Sequence, residues 1–386
     1  MSVFWLALAA FAIGTEAFVI AGLLPVIAAD LQISLAATGQ LVTAYALTYA
    51  IGSPILAVAF NNLDRRTVLT LALGCFIAGN LVAVLAANFA MLLASRMLMA
   101  VGAGLCMPTA LAVAVAISSP ERRGRAIALV TSGLTVATVL GVPLGTWIGN
   151  QYGWRATFIL VAVLGAVALA GLLFGLPRGL PRTTATIAQR IAVARRGAVL
   201  QALSVTALWG IGVFTVFTYL AVPLRGLGLS PNEISLALLI LGIAAAIGNM
   251  IGGTLADRIG PLPTATLGLL MVTIALVLQS VTLKWLPPEY ARPVFLGLIF
   301  FQGIGGWAFY PGQVANLVHI QPQAPMIALS LNASAMYLGF AIGSALGGIV
   351  LTRFAPDDLG WVGGCGVAAA LAGIWFRGWQ LRLKTA

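Results

Sequence analysis

Charged residues are so sparse along this chain that they act as punctuation, and the apolar stretches between them recur at the length of a membrane span. The stretches cover 4–27, 35–60, 67–87, 91–117, 126–149, 156–176, 199–224, 234–255, 262–283, 293–317, 326–351 and 360–378. Each is near the roughly 20 apolar residues that cross a hydrocarbon core of about 30 Å, so the pattern predicts twelve transmembrane helices. The uncharged run from Pro293 to Thr352 is too long for one span. It divides at Gln321-Pro322-Gln323-Ala324-Pro325, where two prolines and two glutamines stop a helix.

Composition turns that pattern into an exclusion. Of 386 residues, 61% are hydrophobic and 8% charged, against about 25% charged in soluble domains. The chain therefore lacks the polar surface a water-facing globule needs. A net charge of +11 would suggest a nucleic-acid partner in a soluble protein, but here the bases sort by side. One side collects fourteen: Arg65, Arg66, Arg122, Arg123, Arg125, Arg178, Arg182, Arg190, Arg195, Arg196, Arg258, Arg377, Arg382 and Lys384. The other holds five: Arg155, Arg225, Lys284, Arg292 and Arg353. The positive-inside rule then places both termini in the cytoplasm, and no nucleic-acid partner is expected. Met1 to Trp5 carries no basic residue, so the first apolar run reads as a retained span rather than a cleaved signal. Cys75, Cys106 and Cys365 lie in apolar runs without metal-type spacing, so no metal site is expected.

The longest loop carries five arginines and no acid. It divides the chain into a first bundle over 1–176, a basic linker over 177–198 and a second bundle over 199–386. Residues 187–199 read either as a basic amphipathic helix on the anionic leaflet or as a flexible tether. The halves echo one another. Gly253-Thr-Leu-Ala-Asp257-Arg258-Ile-Gly260 follows the eighth span, and Asn61-Asn62-Leu63-Asp64-Arg65-Arg66 follows the second.

Eight of the nine acids, Glu121 among them, fall at span ends or in loops; Glu16 alone sits near the middle of a span. Burial there disfavours the charged form, which makes Glu16 a candidate switchable proton site. The alternative is a carboxyl that only ties two helices together. Arg96 is the one base deep within a span. At 1.5 Å per residue, Glu16 lies about 18 Å from the inner end of its span, and Arg96 about 7 Å from the outer end of its own, hence roughly 22 Å from the inside of a core of about 30 Å. The depths permit a pair if the first and fourth spans are neighbours; otherwise Arg96 snorkels outward or ties helix ends through carbonyls. Met107 continues the Arg96 face with Ala100 and Ala103, as cavity lining or close packing. Trp209, Phe214 and Phe217 in the seventh span, Trp307, Phe309 and Tyr310 in the tenth, and Asn332 in the eleventh are further candidates for a ligand wall, with core packing as the alternative. Gly133, Gly141, Pro143, Gly145 and Gly149 give the fifth span a smooth face and a kink. No phosphate-binding loop is present, so transport must be passive or driven by an ion gradient.

With these residues in place, the chain resembles the major facilitator superfamily. The resemblance covers essentially the whole length. It rests on twelve spans in two halves, Gly253-x-x-x-Asp257-Arg258-x-Gly260, Arg96, and Gly133 through Gly149. The segment Gly141-Val-Pro143-Leu-Gly145 is similar to the antiporter motif of the drug/proton antiporter branch, and Gly14-Thr15-Glu16-Ala17-Phe18 to its bacterial sugar, nucleoside and chloramphenicol efflux members. The fold this implies is an all-α membrane protein, with twelve transmembrane helices in two pseudo-symmetric six-helix bundles (the major facilitator fold). The implied place is the bacterial inner membrane, and the implied machinery is alternating access at a central cavity that Glu16 and Arg96 share. A cytoplasmic latch of Asp257 and Arg258 is also implied. The chain departs from the family in two ways: Asn61 and Asn62 stand where it has Asp-Arg, leaving Asp64 and Arg65 as substitutes, and Ala103 stands where efflux relatives often have His.

The expected function is proton-coupled efflux of small organic molecules, Glu16 carrying the proton and the gradient supplying the energy without a cofactor. The expected partners are a small-molecule substrate, protons and the lipid bilayer, with the protein as a monomer. A facilitator or proton symporter importing a nutrient is one alternative, and a non-transporting receptor or scaffold another. An enzyme is not expected.

Overall fold

The computed structural model describes residues 2–119, 122–177, 179–180 and 186–385, apart from the side chains of Ile187 and residues 376–385. Glu121, Arg178 and Arg182 of the charge map lie outside the described residues, as do the side chains of Arg377, Arg382 and Lys384. Among the described residues twelve helices are long and apolar enough to cross a membrane. Apolar side chains such as Leu85, Met250 and Phe174 are exposed, as suits surfaces facing lipid tails that are as apolar as they are.

The chain forms two compact units, Met1–Ile187 and Ala188–Ala386. The first contains α1 (Ser2–Asp30), α2 (Leu35–Ala59), α3 (Arg65–Val84), α4 (Phe89–Ala116), α5 (Arg123–Val136), α6 (Val142–Tyr152) and α7 (Trp154–Gly175). A single π-helical turn, Ala137–Gly141, joins α5 to α6 within one span. After the short α8 (Ile187–Ala194), the second unit holds α9 (Gly197–Phe217), α10 (Ala221–Gly226), α11 (Pro231–Arg258), α12 (Pro261–Trp285), α13 (Pro288–Ile320), α14 (Pro325–Arg353) and α15 (Leu359–Thr385). Here α9 and α10 make one span.

The two units share a packing plan. In the first, α1 packs on α5 and α7, α3 on α4 and α7, and α2 on α4. In the second, α9 packs on α14 and α15, α12 on α13 and α15, and α11 on α13. Three of the helices start where a polar side chain caps them. Ser34 accepts from the Ala37 N–H, Asn88 from the Met91 N–H, and Ser230 forms a reciprocal capping box with Glu233. Gly260, at φ +97°, makes the abrupt turn from α11 into α12.

Glycine seams let corresponding helix pairs approach closely. Along α5 and α6, a Cβ on Gly133 would run into the Ala7 carbonyl, one on Gly141 into Thr15 Oγ1, and one on Gly145 into Val19. Along α14, Cβ atoms on Gly339, Gly343 and Gly347 would run into the carbonyls of Ala207, Ile211 and Thr215. Just before Pro143, where a kink is expected, the backbone widens into the π turn in which the Val142 N–H donates to the Ala137 carbonyl. The wide turn absorbs the irregularity that a missing proline N–H creates.

The basic linker differs from the free tether that was one reading of its sequence. Its α8 docks on the second unit, where Val193 is buried among Val199, Leu203, Leu317 and Ala328.

Candidate functional site

In the first unit, three helices converge on one buried charge pair. The face of α4 that carries Arg96, Ala100, Ala103 and Met107 is turned inward, and all four residues are buried. Arg96 and Glu16 have no solvent exposure, and Arg96 Nη1 forms an ion pair with Glu16 Oε1. The same nitrogen donates to the Glu16 carbonyl at 3.4 Å, and Nε donates to the Leu41 carbonyl of α2 at 3.3 Å. The guanidinium also lies 4.5 Å from the Tyr45 ring centroid, an attraction strengthened by the absence of water. The other carboxylate oxygen, Oε2, is buried without a hydrogen-bond partner. Arg96 therefore does not snorkel to the outer headgroups. An interior pair of this kind is held by geometry as much as by charge, because desolvation offsets most of the Coulomb gain.

The helix-five glycines bear directly on this pair. Gly141 sits at the end of the π turn against Thr15, the residue before Glu16, and the Thr15 hydroxyl is buried with no partner of its own. Met107 lies three helical turns beyond Arg96 on the same face, roughly 16 Å away, and does not join the pair.

The second unit buries a neutral polar centre, toward the other end of its helices. The Thr206 hydroxyl of α9 donates to Asn332 Oδ1 of α14 at 2.6 Å, and Gln313 of α13 donates to Thr206 Oγ1 at 3.0 Å and to the Ala202 carbonyl at 2.6 Å. All three side chains are buried. One turn along α9, the Trp209 ring lies 5.1 Å from that of Phe309 and 6.1 Å from that of Phe340, while Phe214 stacks on Phe340 at 3.6 Å. Two donors, Asn332 Nδ2 and Trp209 Nε1, are buried without acceptors. Trp209 and Phe214 therefore belong to one ring cluster through Phe340, while Asn332 belongs to the hydrogen-bonded network one turn before Trp209 on α9. Trp307 is half-buried and joins none of these ring pairs.

The loop candidates are dispersed. Asp64 is the N-cap residue of α3 but makes no side-chain cap bond, and Asn61 lies in the preceding turn. Arg65 opens α3, and the adjacent Arg66 donates to the Leu173 and Leu176 carbonyls at the end of α7. Asp257 and Arg258 are exposed at the end of α11, and no ion pair joins either among the described residues.

Sequence reasoning did not single out Tyr45, Thr206, Gln313 or Phe340. The signal for two of them was present: Thr206 and Gln313 are hydrogen-bonding side chains in otherwise apolar spans. Nothing in their spacing says that they meet.

The model of the Major Facilitator Superfamily matches residues 6–224 and again 203–382. The inner membrane transport protein YdhP of Escherichia coli O157:H7 is 32% identical over 352 residues, which is 90% of this chain and 88% of that protein. A chloramphenicol resistance protein of Streptomyces lividans is 32% identical over 383 residues, 96% of this chain and 94% of that protein. Among solved structures, a D-xylose-proton symporter superposes with a TM-score of 0.82 over 97% of this chain and 96% of that one, at 18% identity. That likeness concerns the fold.

Proposed function

The chain belongs to the Major Facilitator Superfamily, and from that premise we propose that it is a proton-coupled exporter of small, neutral organic molecules across the bacterial inner membrane. Membership makes it a transporter of small substrates rather than an enzyme; coupling, direction and substrate are our reading. The observation that carries this reading is the fully buried Glu16–Arg96 pair, reached by α1, α2 and α4 together.

A proton arriving on Glu16 neutralises the carboxylate and releases Arg96 from its partner. Loss of the proton re-forms the pair. The two protonation states thus favour different packings of α1 against α4 and against the glycine seam at Gly141. Substrate that prefers one of these packings exchanges with the proton through a shared equilibrium, without the two having to touch. Because Glu16 and Arg96 offset one another, the charged state carries little net charge, which favours neutral substrates over dications. The ring cluster of Trp209 and Phe214 and the amide of Asn332 supply rings and donors suited to such a ligand. Export rather than import is supported by the Gly141-Val-Pro143-Leu-Gly145 segment and by the resistance protein among the relatives.

The test uses purified protein in acidified proteoliposomes with an external pH probe and chloramphenicol as the first substrate of a panel. Antiport predicts substrate-induced proton release in wild type and none in Glu16→Gln, which should still bind. Proton uptake along with substrate would instead indicate a symporter. A normal proton response in Glu16→Gln would reject Glu16 as the coupling site.

A further inference from the structure

Arg190 of α8 is a buried cation without a counter-charge among the described residues. The residue is 9% exposed, and among the described residues its hydrogen bond runs from Nη1 to Ser330 Oγ of α14 at 2.9 Å. Nε is buried and has no acceptor. Among the described residues no carboxylate forms an ion pair with it; Glu233 pairs with Arg292 and Asp358 with Lys284. One turn beyond Ser330 on the same helix, the Ser334 hydroxyl is also buried without a partner.

Contrast with Arg66 shows what is missing. That guanidinium caps the end of α7 through two backbone carbonyls, whereas Arg190 has a single neutral hydroxyl. Burying an arginine with its fork half used is costly, and desolvation already holds its pKa below the usual arginine value. An anion would supply what Nε and Ser334 lack. We propose that Arg190, with Ser330 and Ser334, forms a binding site for a phosphate group, contributed by an anionic lipid headgroup at the end of the second unit where α8 docks.

The character of α8 favours lipid as the source. Val193 anchors it to the bundle, while Ile191 on its outer side is 45% exposed beside the exposed Arg195. An outward apolar residue amid arginines suits an interfacial helix on an anionic leaflet. Bound phosphate would tie α8 to α14, so that the lipid bridges the linker and the bundle. This site is independent of Glu16 and of the direction of transport.

The experiment measures retention of dioleoylphosphatidylglycerol by the full-length protein with native mass spectrometry in detergent. Dioleoylphosphatidylcholine and inorganic phosphate serve as the other ligands, and melting temperature as the second readout. Wild type should retain phosphatidylglycerol and melt higher with it. Arg190→Gln should weaken retention about tenfold or more, as expected for loss of charge-assisted hydrogen bonds. Arg190→Lys, which keeps the charge but loses the fork, should fall between, as should Ser334→Ala. These milder variants keep the test decisive if Arg190→Gln does not fold. Equal stabilisation by inorganic phosphate would retain the anion site and move its source to the cytosol. Equal phosphatidylglycerol retention in wild type, Arg190→Gln and Ser334→Ala, or loss on Val193→Ser alone, would overturn the proposal.

Discussion

Inside the first unit two full charges face one another; inside the second, two amides and a hydroxyl are buried at a different level, Arg96 seven residues past the start of α4 and Gln313 seven before the end of α13. The packing plans match helix for helix, so the difference lies in the side chains that the plan brings together. A charge pair has two states separated by a proton. A network of Thr206, Gln313 and Asn332 has no such switch at any physiological pH, but it offers donors to a neutral ligand. On the proposed function, energy input falls to the charged centre and recognition to the neutral one.

The strongest way to break this contrast is to unbalance the charged centre. Glu16→Ala or Arg96→Ala alone should destabilise the protein by about 3–5 kcal/mol, because the remaining charge stays buried without a partner. The double variant Glu16→Leu/Arg96→Met should recover most of that loss while remaining uncoupled. Thermal unfolding in detergent, read beside proton flux, checks both, and a stable single variant would show that the pair is not dry.

The glycine seams sharpen the comparison at intermediate cost. Gly141→Ala and Gly343→Ala should each cost about 1–3 kcal/mol through overpacking. The obstacle at Gly141 is the Thr15 side chain, whereas at Gly343 it is the Ile211 backbone. Thr15→Gly should therefore partly rescue Gly141→Ala, and no change at position 211 should rescue Gly343→Ala. Equal rescue at both sites, measured by melting temperature, would contradict the difference.

Smaller effects are expected from the neutral centre. Thr206→Val should cost only about 0.6–1.7 kcal/mol, the range for interhelical hydrogen bonds in membranes, and should leave proton coupling to Glu16 intact. A loss as large as that of Arg96→Ala would erase the contrast between the units. Smallest of all is Asp30→Asn. The Asp30–Arg155 pair is 2.7 Å long, and its side chains are 45% and 37% exposed. It should contribute less than about 1 kcal/mol and fade with added salt, a titration that separates exposed ion pairs from the buried one.

Much of this was legible in the residues. Charges are so costly in lipid that nearly all of them mark loops, which exposed both the spans and the exceptions, Glu16 and Arg96. The seam of α5 and α6 was readable because glycines clustered around a proline strip one side of a helix of side chains and interrupt its backbone hydrogen bonds at the same place. Its counterpart at Gly339, Gly343 and Gly347 went unread, since glycines spaced along a span do not say which helix they meet. The ring contact of Arg96 with Tyr45 was hidden for a similar reason, aromatic residues being common in any apolar helix.

The sequence by itself determined the number of spans, the division into halves and the identity of the two intramembrane charges, because lipid penalises each stray polar group locally and residue by residue. Tertiary structure alone decided that those two charges meet, that Thr206, Gln313 and Asn332 form one network, that the irregularity before Pro143 becomes a π turn against Thr15, and that α8 docks with Arg190 inside. Each of these depends on which helices are neighbours. Between helices the differences are only a few kcal/mol of packing and hydrogen bonding, summed over many residues, and no single stretch of the chain records them.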